Sequence, residues 1–155
     1  MRSIIKKSIA LPKVKLLIRK ANKLGLETTA FFVIGFPGEN RKHLRNTFRF
    51  AENLNVDNVN FFFATPLPGT QLLDLCKENR LINGKLDYEK LKSNQPYFET
   101  GYLSKKTLMS LVYYEKLKLY FLSFLIHPMR FLRKLWHKAT KDPRYFLRFG
   151  KNKVF

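Results

Sequence analysis

A chain of 155 residues is one domain long, or one compact unit with a tail, and its 45% hydrophobic and 15% aromatic content suffices for a core, which excludes global disorder. The net charge of +19 is uneven: residues 1–60 carry 12 basic and 4 acidic side chains, residues 61–100 carry 5 of each, and residues 101–155 carry 13 and 2. Such a distribution bears on partners and solubility, not on fold, and one cysteine excludes a disulfide framework.

Leu11-Pro12 opens the first helix, with proline in the first turn, where its missing N–H costs nothing. Val14, Leu17, Ile18, Ala21 and Leu24 make one apolar face. Lys13, Lys15, Arg19, Lys20 and Lys23 form a solvated opposite face, and Gly25 ends the helix as a left-handed C′ residue. The first strand is expected from Glu27 to Ile34. Its run Phe31-Phe32-Val33-Ile34 is continuous and bounded by Gly and Pro, the pattern of a strand buried on both faces in a parallel sheet.

Asn40 is the expected N-cap of a second helix, Arg41 to Asn53, with Leu44, Thr47, Phe48 and Ala51 inward. A second strand follows from Val56 to Ala64. One helix with short turns between two strands has the length of a parallel βαβ crossover. A third helix starts at Gly69 or Thr70, carries Leu72, Leu73 and Cys76 on one side, and is expected to stop near Asn83-Gly84. In that helix Cys76 is a small buried apolar residue. Helix, strand, helix, strand, helix is an α/β order of two parallel βα units. Two strands make neither a closed barrel, which usually takes ~250 residues, nor a stable open sheet. The chain therefore either pairs with another segment or is a piece of a larger domain, with apolar strand edges prone to aggregation.

Residues 85–100 form a loop with one short helical turn. Ser104 then caps a long helix to about Ile126, with Leu108, Leu111, Val112, Glu115 and Leu119 on one face, ended by His127-Pro128. Met129 to Lys138 is a short amphipathic helix, and Asp142-Pro143 opens one more turn before the basic stretch Arg148 to Lys153. The longest apolar run, Leu119 to Ile126, is far short of the ~20 residues of a membrane span. The apolar part of Met1 to Leu11 is too short for a secretory signal. A reducing cytoplasmic setting follows as the default.

Gly35-Phe36-Pro37-Gly38-Glu39 stands where the first strand ends, the place where ligands of parallel sheets bind. Glycines there let a ligand approach the backbone, and free N–H and C=O groups can pair with a flat heterocycle. The stretch has neither the Gly-x-Gly-x-x-Gly dinucleotide pattern nor a phosphate-loop lysine. Thr65-Pro66-Leu67-Pro68-Gly69-Thr70 repeats the arrangement after the second strand.

Phe31-Phe32-Val33-Ile34-Gly35-Phe36-Pro37-Gly38-Glu39, then a helix, then a strand ending in Thr65-Pro66-Leu67-Pro68-Gly69-Thr70, resembles the C-terminal half of radical S-adenosylmethionine (radical SAM) domains. The resemblance is strongest to the group with an N-terminal cobalamin-binding domain. Ile4-Ile5-Lys6-Lys7, the basic helix and Gly25 look like the segment before that family's fifth strand. The resemblance covers residues 3 to 83. It implies a partial (β/α) barrel over residues 1–84 and a mainly α-helical basic extension over residues 85–155.

In the family, the loop after the fifth strand follows Gly-x-Ile-x-Gly-x-x-Glu and contacts the SAM adenine, largely through backbone. Val33 matches the isoleucine and Gly35 the second glycine, Phe31 replaces the first glycine, and Glu39 falls one residue late. The resemblance implies a cofactor-binding set of Val33, Gly35, Phe36, Pro37, Gly38 and Glu39, with Ala64, Thr65 and Pro66 beside it. The family's four-iron four-sulfur cluster needs Cys-x-x-x-Cys-x-x-Cys. Here Cys76 stands alone, His43, His127 and His137 lack ligand spacing, and no cobalamin domain is present. The expectation is a fragment of a radical SAM enzyme, without catalytic or metal residues of its own, inactive alone or dependent on a separate N-terminal half carrying the cluster motif. The alternative is a basic membrane-surface module. Leu117 to Lys153 interleaves Arg and Lys with aromatic and aliphatic residues, as a helix at the inner face of an anionic membrane does. No specific nucleic-acid motif accompanies the charge.

Overall fold

The computed structural model describes residues 10–82, 84, 86–126 and 136. Two parallel βα units lead into a mainly helical region, and the sheet is open rather than closed into a barrel. The elements are α1 (Leu11–Lys23), β1 (Thr29–Ile34), α2 (Arg41–Glu52), β2 (Asn58–Phe63), α3 (Gln71–Glu78), a 3-10 turn (Tyr88–Lys90) and α4 (Lys105–Ile126). The chain divides into two compact units, Met1–Glu115 and Lys116–Phe155. The expected segments Ile4-Ile5-Lys6-Lys7, Met129 to Lys138 and Arg148 to Lys153 lie outside the described residues, Trp136 excepted.

Each helix ends where its backbone groups find partners. After α1, Gly25 has φ +71° and donates to the Asn22 carbonyl (3.1 Å), while Leu26 N–H reaches the Ala21 carbonyl (3.0 Å). This pair of bonds is the Schellman closure expected of a C′ glycine. At the start of α2, Asn40 Oδ1 accepts from His43 N–H (3.1 Å) and Asn40 N–H donates to His43 Nδ1 (3.5 Å). His43 here takes the part that Glu or Gln plays in the usual capping box.

The end of α3 departs from expectation. The helix stops at Glu78, before Asn83-Gly84, because Arg80 takes the left-handed conformation (φ +53°). Arg80 N–H bonds to the Lys77 carbonyl (3.0 Å) and Leu81 N–H to the Cys76 carbonyl (2.8 Å). Leu81 then packs on the cluster that holds Cys76, and this contact supports a conformation that a non-glycine residue takes at a cost of roughly 1–2 kcal/mol.

β1 and β2 pair in parallel from Thr29↔Asn58 to Ile34↔Phe63. The register is pinned below the strands by a reciprocal contact. Asp57 Oδ2 accepts from Thr28 N–H (2.9 Å) and Thr28 Oγ1 (3.0 Å), and Asp57 N–H donates to Thr28 Oγ1 (3.2 Å). Above the strands, Ala64 N–H donates to the Ile34 carbonyl (2.8 Å).

The two faces of this sheet differ. On one, Phe32 and Phe61 meet α2, with Phe48 edge-on to Phe61 at 5.2 Å and Phe50 edge-on to Phe32 at 6.2 Å, and Ile34 and Phe63 are buried. On the other, Phe31 stacks on Phe62 at 5.8 Å yet stays 65% exposed, and Val33 is exposed too. Burial of β1 on both faces is therefore not what the chain achieves; a side chain is buried only where a second layer covers its face. The same holds for α1, whose Leu17 and Leu24 are exposed although they continue the apolar stripe of the half-buried Val14, Ile18 and Ala21.

Stability should divide along this line. Leu44→Ala empties a fully buried site and is expected to cost about 2–5 kcal/mol in chemical unfolding, whereas Leu17→Ala, at a 64% exposed position, should change it by less than about 0.5 kcal/mol. Equal costs would contradict this division of the apolar surface.

Candidate functional site

Parallel pairing puts the ends of β1 and β2 side by side, so the Gly35–Glu39 and Ala64–Pro66 segments leave the sheet as neighbours. Of the residues expected at a cofactor site, Phe36 and Ala64 pack together with Leu72, Cys76 and Phe98 in one apolar cluster, and Pro66 is fully buried. Pro37 and Thr65 are half-buried, while Gly38 is exposed and Val33 lies on the open face of β1. The surface that the set leaves to a ligand is the rim around Pro37, Gly38 and Thr65.

Glu39 has a defined position. It is 2% exposed, and its side chain turns back under its own loop. Oε2 accepts from the N–H groups of Gly35 and of Phe36 (3.3 Å to the latter), the first two donors past the strand. Gly35 has φ +78°, and a Cβ there would stand 3.4 Å from Phe63 and 3.8 Å from Leu108, so this position takes glycine for its backbone conformation in a packed setting. Gly38 also has φ +78° but faces open space, with no atom within 4 Å of a Cβ position.

A residue with no sequence signal completes the loop. Thr100 is buried; its Oγ1 donates to the Glu39 carbonyl (2.7 Å) and accepts from Leu103 N–H (3.0 Å), and its own carbonyl accepts from Gly38 N–H (2.8 Å). The segment read as a plain connector therefore clamps the glycine turn from 61 residues away. Gly35, Phe36 and Gly38 N–H all have protein partners, as do the Ile34 and Phe36 carbonyls. The free backbone edge expected of this turn is correspondingly narrower.

Electrostatics at the turn follow from burial. Loss of water raises the Glu39 pKa above the ordinary 4.5, against the opposing pull of the Gly35 and Phe36 N–H groups and of His43. Among the described residues Oε1 is buried with no hydrogen-bond partner, which adds to the cost of the charged form. Cys76 is 0% exposed, and burial pushes its thiol up to about 11. A thiol held in that form is a core side chain and does not fit cluster ligation, which takes thiolate. Among the described residues no group of three or more His, Cys, Asp or Glu side chains could hold a metal ion.

No family model matches the sequence. An uncharacterized methyltransferase of Pyrococcus horikoshii is 28% identical over 119 residues, covering 77% of this chain and 25% of the relative. The cytidylyl-2-hydroxyethylphosphonate methyltransferase of Streptomyces wedmorensis is 32% identical over 82 residues, 49% of this chain and 15% of the relative. A tRNA-2-methylthio-N(6)-dimethylallyladenosine synthase of Polynucleobacter necessarius is 34% identical over 77 residues, 48% of this chain and 17% of the relative. The chain thus spans a quarter or less of the length of these relatives. Similarity so partial, at such identity, carries distant kinship with radical SAM superfamily enzymes and nothing finer.

The raised pKa sets a sign for pH dependence. A proton bound more tightly by the folded chain supports folding in full below pH 4.5, and that support is lost as pH climbs through the folded value. Unfolding free energy measured from pH 4 upward (roughly the unfolded glutamate range) should therefore shift in favour of Glu39→Gln relative to wild type. Parallel profiles would contradict a buried, titrating Glu39.

Proposed function

We propose that this chain is the C-terminal part of a radical SAM enzyme, contributing the adenine-side turns of a SAM site and depending on a second segment for the rest. The observation that carries this reading is the juxtaposition of two strand-end turns, Gly35–Glu39 and Ala64–Pro66, on one rim of a parallel sheet. The open space over Gly38 fits the close approach of a flat ring, which a Cβ would obstruct. Pro37, Gly38 and Thr65 would hold the adenine end, Val33 and Gly35 would shape the wall beneath it, and Glu39 would keep that wall in place without touching the ligand. SAM, when bound, would supply the reactive sulfonium. The iron–sulfur cluster does not fit the one cysteine of this chain, and its ligands would have to come from elsewhere.

A place for the second segment is supported by the sheet edges. Thr28 and Ile34 carbonyls point to β2, so the alternate residues Thr29, Phe31 and Val33 direct their N–H and C=O groups to the opposite edge of β1. The outer edge of β2 is met by the loop instead, with Phe63 N–H donating to the Ser93 carbonyl (2.8 Å). Growth of the sheet is therefore favoured on the β1 side, where Phe31 and Val33 also leave apolar surface uncovered. Two of these relatives are methyltransferases by name and the third is a synthase of a methylthio-modified nucleoside, and we extend to this chain only the use of SAM.

Titrating isotope-labelled protein with S-adenosylhomocysteine tests the reading. Saturable amide shifts are expected at Gly35, Phe36, Gly38, Glu39, Ala64 and Thr65 (Pro37 and Pro66 carry no N–H), with affinity on the order of millimolar because one wall alone is present. Shifts confined to other parts of the chain, or none, would overturn it.

A further inference from the structure

From Lys116 onward, α4 presents an apolar arc that the SAM reading does not use. At 3.6 residues per turn, Leu117, Tyr120, Phe121 and Leu125 fall within an arc of about 140°, and all four are exposed. Lys116 and Lys118 stand just outside its two margins. The opposite side of this stretch carries the half-buried Leu119 and Leu122 rather than a charged face, so what α4 offers a membrane interface is an exposed apolar arc bordered by lysines. At such an interface the rings and aliphatic chains enter the acyl boundary, and the lysine stems run along the apolar surface to bring their charges to the headgroups.

The charge of the surrounding sequence selects the lipid. Residues 127–155 add nine basic side chains against the single acid Asp142. Basic residues next to an interfacial helix are attracted to anionic headgroups. No helix among the described residues is long and apolar enough to cross a membrane. Polyanions such as RNA would satisfy the lysines and could stack on Tyr120 and Phe121. They offer nothing to Leu117 and Leu125, whereas a lipid interface uses the whole arc.

We infer that the C-terminal half of α4 docks on the surface of an anionic membrane, with Leu117, Tyr120, Phe121 and Leu125 inserted at the interface and Lys116 and Lys118 on the headgroups. This inference is independent of the SAM site and stands or falls without it.

Flotation of the full chain with phosphatidylcholine vesicles, with and without phosphatidylglycerol, is the test. The protein should float with the phosphatidylglycerol-containing vesicles and remain behind with phosphatidylcholine alone. Phe121→Ser and Leu117→Ser should each reduce partitioning about tenfold or more, and Lys116→Ala and Lys118→Ala about fivefold each. Lys20→Ala, an equal charge loss on α1, should leave it unchanged. All five positions are exposed, and far-UV circular dichroism checks that each variant keeps its helices. Failure to float with phosphatidylglycerol would overturn the inference. So would flotation that Phe121→Ser leaves intact, which marks adsorption of a polycation. Loss of RNA homopolymer binding in Phe121→Ser with vesicle flotation unchanged would assign the face to nucleic acid instead.

Discussion

The Glu39 carboxylate, folded back onto the N–H groups of Gly35 and Phe36, is the contact on which the rest of the rim depends. A chain leaving a parallel strand beside the core carries backbone donors out of the ladder and into an apolar setting, where an unpaired N–H costs about 1–3 kcal/mol. A side chain four residues on meets both donors. The loop that results is compact enough for α2 to begin at once, with Asn40 as its cap. Glu39 is accordingly a structural part of the candidate site, and the exposed Gly38 beside it is the part a ligand can reach.

The second requirement is that this turn be held from outside. Thr100 does so by bonding to the Glu39 carbonyl and the Gly38 N–H together, and Phe98 fills the space beneath, against Phe36 and Ala64. Both residues come from a stretch without regular structure, which shields one end of the sheet while Ser93 occupies the outer edge of β2. The loop thus meets the end of β2 at Phe63, while the exposed Phe31 and Val33 border the open edge of β1. That asymmetry accounts for an apolar strand with solvent on one face, and it gives the proposed dependence on a second segment its direction.

Much of this was legible in the residues. Apolar periodicity placed α1, α2 and α4, Asn40, Thr70 and Ser104 marked helix starts, and Gly25 marked an end; all are local signals. What escaped was non-local. Arg80 ends α3 because Leu81 finds an apolar cluster to pack on, and nothing in an arginine announces a left-handed conformation. Thr100 looks like any loop threonine until the chain brings it to Glu39. Phe31 is exposed although its run has the pattern of a buried strand, because hydrophobicity states what a side chain would gain from cover, not whether a neighbour supplies it. The family resemblance points to the Gly35–Glu39 segment, but that Glu39 turns inward and Gly38 outward depends on contacts with Thr100 and the strand end that no local signal marks.

Amide hydrogen exchange at Gly35 and Phe36 tests the central claim most directly. If the Glu39 carboxylate holds these two donors, both amides exchange slowly in the wild-type chain and much faster in Glu39→Ala, while the Ala30 and Phe32 amides, which face β2, keep their protection. Rapid exchange at Gly35 and Phe36 in the wild type, or slow exchange that survives Glu39→Ala, would contradict the account.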